Sequence, residues 1–373
     1  MEASALATDE MEALATRILE GLRKLTALEK QDKEGEASDA KAQAQAELIP
    51  LLEKAILRSP DDQTMRIVYR RIYGDGDDAF ETGDPSFDRF EMMRASLVAL
   101  SVEFGKAWTR PESAALIPRF IETYEVDTSL CVKPLEAFTS MNDFFYRAID
   151  LEAHRPLSPD PNADGARVIS AMADAHYMLF RPWEMVRGLV VKNKVFNMHD
   201  FLGGDETGFA ADMEGGDVIC VRLHPRHIHR AYAPLDATIG RIWHGGIAYH
   251  TTKPIGIEHP FIDTLGENKR VVVELVTSWG SFLVAFVGGP LIGSVQLQVQ
   301  QGTHVERGQE IALFAYGGSA IYMCFPRSFP RIDFTIPSNL PLTQAAELQL
   351  RSTLGSLAQP SVSSTSSATS FSS

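Results

Sequence analysis

The sequence predicts an α+β fold, with a helical N-terminal region followed by a β-rich, barrel- or sandwich-like domain. Three observations carry this. Apolar residues recur at helical spacing early in the chain, short β-branched runs separated by glycine and proline follow residue 167, and the C-terminal stretch is almost wholly small and polar. The domain limits they suggest are a helical extension over 1–125, the β-rich domain over 126–345 and a disordered Ser-rich tail over 352–373.

Leu14, Ile18, Leu22 and Leu25 stand three or four residues apart, which places them on one face of a helix. Ala- and Glu-rich sequence continues toward Leu57, interrupted by the charged stretch from Gln31 to Lys41. A second helical region runs from about Gln63 to Glu122, broken by the turn-rich GDGDDAFETGDPS at 74–86. Beyond it VICVRL, ATIGRIW, RVVVELV, SFLVAFV, SVQLQV, EIALFAY and AIYMCF read as strands joined by hairpins, with no crossover helices between them. From Gly355 onward no residue is charged, and Ser, Thr, Ala and Pro cannot bury enough apolar surface to order a chain.

Charge and composition narrow the function. Acidic residues outnumber Lys plus Arg by 49 to 35, for a net charge of −14, so no nucleic-acid partner is expected. No apolar run reaches the roughly 18 to 20 residues of a membrane-spanning helix, so no stable membrane insertion is expected. Cys131, Cys220 and Cys324 form no CxxC pair, which fits a reducing compartment, and the acidic N-terminus carries neither a secretory signal nor a transit peptide. A cytoplasmic protein is the expectation, and a homodimer is among the assemblies open to it.

Three places could carry chemistry. In Tyr316-Gly317-Gly318-Ser319-Ala320 the paired glycines free the backbone. Alone they fit best a plain turn between strands; the functional alternative is an attack of Ser319 on the carbonyl of Gly318. In the second place His224, His227 and His229 fall within six residues. They could serve proton transfer, or a metal completed by His244, His250 or His259, although no HExxH spacing accompanies them. In the third, Asp174 is an acid within the apolar run SAMADAHYMLF. If buried it needs a partner, such as a histidine it orients; otherwise it is a surface turn residue.

Taken in order, these segments resemble the phosphatidylserine decarboxylase family from about Arg110 to Asn339. MNDFFYRAIDLEAHRP at 141–156 resembles the family's FNEFFxRxLxPxxRP, ADAHYMLF its ADxRLxxF, and LVVKNKVFNMHDFLGG its IKGxxFSLxxLLG. The histidine cluster reads onto LxPxDYHRxHxP, and VERGQEIALFAYGGSAIYMCF onto the segment that ends in the family's GGST. The resemblance implies a cut between Gly318 and Ser319 and a pyruvoyl group made from Ser319, with neither pyridoxal phosphate nor a metal. A substrate amine then forms a Schiff base with that group, which acts as the electron sink for decarboxylation. Asp174 takes the place of the processing aspartate and His229 that of the general acid.

The chain departs from the family at His227, where an aspartate is usual, at Tyr232, where the processing histidine is usual, and at Ala320, where threonine is usual. His229, His227 and Tyr232 therefore stand as candidate processing bases, His229 first, because a phenol near pKa 10 is a poor base at neutral pH. Some soluble relatives act on free amino acids in natural-product pathways. With no apolar anchor and an acidic balance, a small amino acid or derived metabolite is the expected substrate, ahead of phosphatidylserine. Three rivals remain: an unprocessed, non-catalytic homologue, a carrier module lacking the hairpin lysine, and a metal-dependent β-barrel enzyme.

Overall fold

The protein is described by a computed structural model that covers residues 8–31, 39–58, 64, 67–68, 86–160, 168–183, 198–202, 209–250, 264–289, 294–315, 319–340 and 344–357. Three long helices, α1 (Thr8–Gln31), α2 (Asp39–Leu57) and α3 (Ser86–Thr109), come first. The expected α1 face is real: Leu14, Ile18, Leu22 and Leu25 are all buried, and they share one core with Leu48 and Leu52 of α2. After a 3-10 turn at Pro111–Leu116 come α4 (Ile117–Tyr124) and α5 (Met141–Phe145). Phe144 and Phe145 of α5 are buried in the same helical core, so the MNDFF segment belongs to it by packing. Among the described residues no helix is long and apolar enough to cross a membrane.

The strands are β1 (Val168–Ser170), β2 (Ala175–Phe180), β3 (Asp217–Leu223), β4 (Arg230–Tyr232), β5 (Ala237–Gly245), β6 (Arg270–Thr277) and β7 (Gly280–Gly288). They continue with β8 (Ser294–Leu297), β9 (His304–Val305), β10 (Glu310–Ala315), β11 (Ser319–Phe325), β12 (Ile332–Phe334), β13 (Ala346–Leu348) and β14 (Thr353–Leu357). One eight-stranded sheet has the order β13-β2-β3-β11-β7-β6-β5-β9, and two three-stranded sheets have the orders β4-β10-β8 and β1-β14-β12. The α+β class holds. Among the described residues no barrel closes, because the large sheet ends on two different edges, β13 and the two-residue β9.

The centre of the large sheet is buried on both faces. Ile321 and Met323 of β11 join one apolar cluster, and Ala320, Tyr322 and Cys324 join the other. That is why AIYMCF is an unbroken apolar run, since alternation appears only where one face meets water.

The tail is ordered further than its composition suggests. Thr353–Leu357 form β14, paired with β1 and β12, and Leu354 and Leu357 are buried. Two leucines suffice here because a Cβ on Gly355 would lie 2.9 Å from the Ile332 side chain, so the strands can approach closely only at glycine. Residues 358–373 lie outside the described residues.

Candidate active site

Ser319 is the first residue of β11, and its backbone pairs with Leu223 of β3 on one side and Gly288 of β7 on the other. Tyr316, Gly317 and Gly318 lie outside the described residues. In the chain they join β10 of one sheet to β11 of another. Seven register pairs hold β11 to β3 and six hold it to β7, so residue 319 sits at the end of a fixed central strand. That suits a group built on residue 319 itself, since its anchorage comes from the strand that follows and Gly288 adds no side chain beside it.

His229 immediately precedes β4. Its carbonyl accepts the Phe314 amide at 2.8 Å, which ties it to β10, and its ring stacks on Phe145 with centroids 3.8 Å apart. Nδ1 lies 3.0 Å from the His227 carbonyl. A carbonyl can only accept, so Nδ1 carries the proton and neutral His229 presents Nε2 with its lone pair. Burial holds the imidazole pKa well below its usual value, and the nearby Arg147 guanidinium and His227 push the same way. His229 is therefore neutral at physiological pH, as a general base must be.

His227 is committed at both nitrogens. Nδ1 accepts the His224 amide at 3.0 Å, so the proton sits on Nε2, 3.2 Å from the Glu347 carboxylate. Burial takes its pKa down to about 4, against the opposing pull of Glu347. The same carboxylate accepts from Arg226 at 2.6 Å. Such a fully bonded ring is an anchor between the loop after β3 and β13.

Asp174 is buried, and its partner is an arginine. Arg155 Nε and Nη2 donate to the two carboxylate oxygens at 2.8 and 2.9 Å, and the Leu350 amide donates at 2.7 Å. Tyr232 is buried in a small apolar cluster with Ile149, Ile228 and Leu350. Burial, with the Glu310 carboxylate second, pushes its phenol up to about 12. A phenol so raised stays protonated at neutral pH.

Asp174 and His227 line one cavity of about 410 Å³ together with Arg147, Arg155 and Glu347. His229 lies two residues from His227, and Tyr232 shares an apolar cluster with Ile228, which lines that cavity. Four side chains that shape this region are not among the sequence candidates: Arg155, Arg147, Phe145 and Glu347. The first three were visible only as letters of the FFYR and HRP segments, and Glu347 had no signal. Arg147 is a buried cation whose Nη groups, among the described residues, reach the Phe144 and Arg226 carbonyls, and burial lowers its pKa to about 10. Among the described residues no group of three His, Cys, Asp or Glu is placed to hold a metal ion. His250 instead bonds Glu267 at 2.9 Å, and His259 lies outside the described residues.

A family model described as phosphatidylserine decarboxylase matches residues 141–341, which include Asp174, His227, His229, Tyr232, Gly318 and Ser319. The chain is 27% identical over 259 residues to phosphatidylserine decarboxylase proenzyme 2 of Komagataella phaffii, covering 68% of this chain and 25% of that protein. It is 29% identical to the phosphatidylserine decarboxylase proenzyme of Fusobacterium nucleatum, covering 64% of this chain and 77% of the relative. Identity to the Chlamydia pneumoniae proenzyme is 28%, covering 74% of this chain and 85% of the relative. The chain thus spans only about a quarter of the Komagataella protein's length.

Proposed function

Because the chain belongs to the phosphatidylserine decarboxylase family, we propose that it is a carboxy-lyase that cuts itself between Gly318 and Ser319 and converts Ser319 to a pyruvoyl group. With that group it removes the α-carboxylate of phosphatidylserine and leaves phosphatidylethanolamine. One observation carries the reading. Ser319 opens a strand held on both sides, and His229, on the segment paired with the strand leading into Ser319, is buried and neutral with Nε2 unprotonated.

His229 takes the proton of the Ser319 hydroxyl as the oxygen attacks the Gly318 carbonyl. Phe145 holds the ring plane for this, and the His227 carbonyl holds the tautomer. In turnover the carbonyl at residue 319 supplies the sink for the electrons released with carbon dioxide. In the same turnover His229 Nε2 takes the proton that the substrate ammonium gives up on bonding to that carbonyl, and then delivers it to the substrate carbon. Asp174, already held by Arg155, keeps β2 and the Leu350 segment in register around the site and is a positioning residue.

Phosphatidylserine is taken as the substrate on the names of the relatives, each a phosphatidylserine decarboxylase proenzyme. The sequence by itself favours a free amino acid, on the departures at His227 and Tyr232, but those three names support neither that nor a role in secondary metabolism. Purified protein mixed with phosphatidylserine vesicles should release carbon dioxide, lose that activity to phenylhydrazine, a carbonyl reagent, and keep it in EDTA. Turnover of free amino acids alone, or activity abolished by the chelator, would overturn the reading.

A further inference from the structure

A cavity of about 650 Å³ opens where the end of α3 meets the sheet of β4, β10 and β8. Its lining departs from the character of the chain. Net charge is −14, yet the described lining residues include two cations, Lys106 and Arg110, and no carboxylate. Beside them Val102 and Pro111 offer apolar surface, and Val102 is 49% exposed while Phe104 and Trp108 of the same helix are fully buried. The opposite wall is Ala315 with its strand partner Ser294. Ala315 is the last residue of β10, four before Ser319, so this wall of the cavity lies on the strand that precedes the serine in the chain.

The cavity is also coupled to His229. Asn142 lines it and donates to the Gly105 carbonyl at 3.2 Å and the Thr109 hydroxyl at 2.9 Å, which fastens α3 to α5. One turn later Phe145 of α5 stacks on His229. Lys106 contacts Glu103 at 2.6 Å, but both are surface side chains, and such a pair is worth little in water and is readily exchanged. An arginine fork beside an ammonium matches the oxygens of a phosphodiester.

We propose that Lys106 and Arg110 bind the phosphodiester of the substrate headgroup at the mouth of this cavity, with the serine end directed toward residue 319 and the glycerol end against Val102 and Pro111. The inference rests on the decarboxylase reading and gives the helical extension a part in substrate recognition.

The test uses the full chain with the K106A/R110A double substitution, two surface changes outside any packed core. Michaelis constants for phosphatidylserine in mixed micelles should rise about tenfold or more, as expected when charge-assisted hydrogen bonds are lost. Mass spectrometry should find self-cleavage unaltered, which a misfolded helix would not allow. In parallel, the uncut Ser319→Ala chain is titrated with glycerophosphoserine and with inorganic phosphate, with and without the double substitution. Glycerophosphoserine should bind and lose affinity in the double variant, and phosphate should bind more weakly. Unchanged Michaelis constants with unchanged glycerophosphoserine binding overturn the proposal, and so does phosphate binding as tight as that of the phosphodiester. Should the chain fail to decarboxylate phosphatidylserine at all, the decarboxylase reading falls, and the binding titration alone decides the site.

Discussion

At His229 one hydrogen bond sets the chemistry, because Nδ1–H to the His227 carbonyl leaves Nε2 as the basic atom. His229→Gln should slow self-cleavage by about 100-fold or more, the range lost with a general base, as followed by gel densitometry over time. Tyr232→Phe should change it by less than about threefold, since a phenol pushed up to about 12 holds its proton at neutral pH; arrested cleavage in that variant would return the role of base to Tyr232. His227 makes a separate prediction. Its folded pKa near 4 lies below its ordinary 6.5, so between these values the unfolded chain binds a proton that the folded chain refuses. Stability should therefore fall as pH drops from about 6.5 toward 5, with a slope that steepens toward about 1.4 kcal/mol per pH unit for this one group. Urea titrations of uncut Ser319→Ala protein across that range should lose this part of the slope in His227→Gln; an identical slope would contradict the assignment. Sequence could mark Asp174 as an acid in need of a partner but not choose the partner. Histidine, arginine and backbone amide all satisfy a carboxylate, and Arg155 stands nineteen residues away.

Among the elements, β11 would hold the chain together after the proposed cut. It lies between β3 and β7 in the middle of the large sheet, and β13 and β14, also beyond residue 319, pair with β2 and β1. After a cut before Ser319 the two pieces should co-elute on native size exclusion and separate only in denaturant; native separation would contradict this sheet order. Arg155, just after the short helix Leu151–His154, pins that segment to the start of β2. Arg155→Met strands the buried Asp174 charge and should lower stability by about 3 kcal/mol in urea titration, with Arg155→Met/Asp174→Asn recovering part of the loss. The long strands were legible because VICVRL, RVVVELV and AIYMCF are dense in β-formers. β2 was hidden inside the apolar run around Asp174, and β14 was hidden because a Thr-Leu-Gly-Ser-Leu strand looks like the polar tail beside it.

For the whole molecule, the sequence announced a helical part before a β-rich part, and helical spacing located α1 closely. It could not announce where the two meet, because that depends on three-dimensional closure. α5 carries the family signature yet packs in the helical core while touching His229 with Phe145. Likewise no local pattern tells an open eight-stranded sheet from a closed barrel, since closure depends on which edges pair. On the proposed reading, the helices, the open sheet and the matched segment at 141–341 form the scaffold that would hold Ser319 for self-conversion. Intact-mass analysis of the purified protein tests that most directly. The account predicts a chain ending at Gly318 and a 55-residue chain beginning at residue 319, the latter with the mass of a pyruvoyl terminus and resistant to Edman degradation. A single full-length species, in protein that is folded and otherwise unmodified, would contradict it.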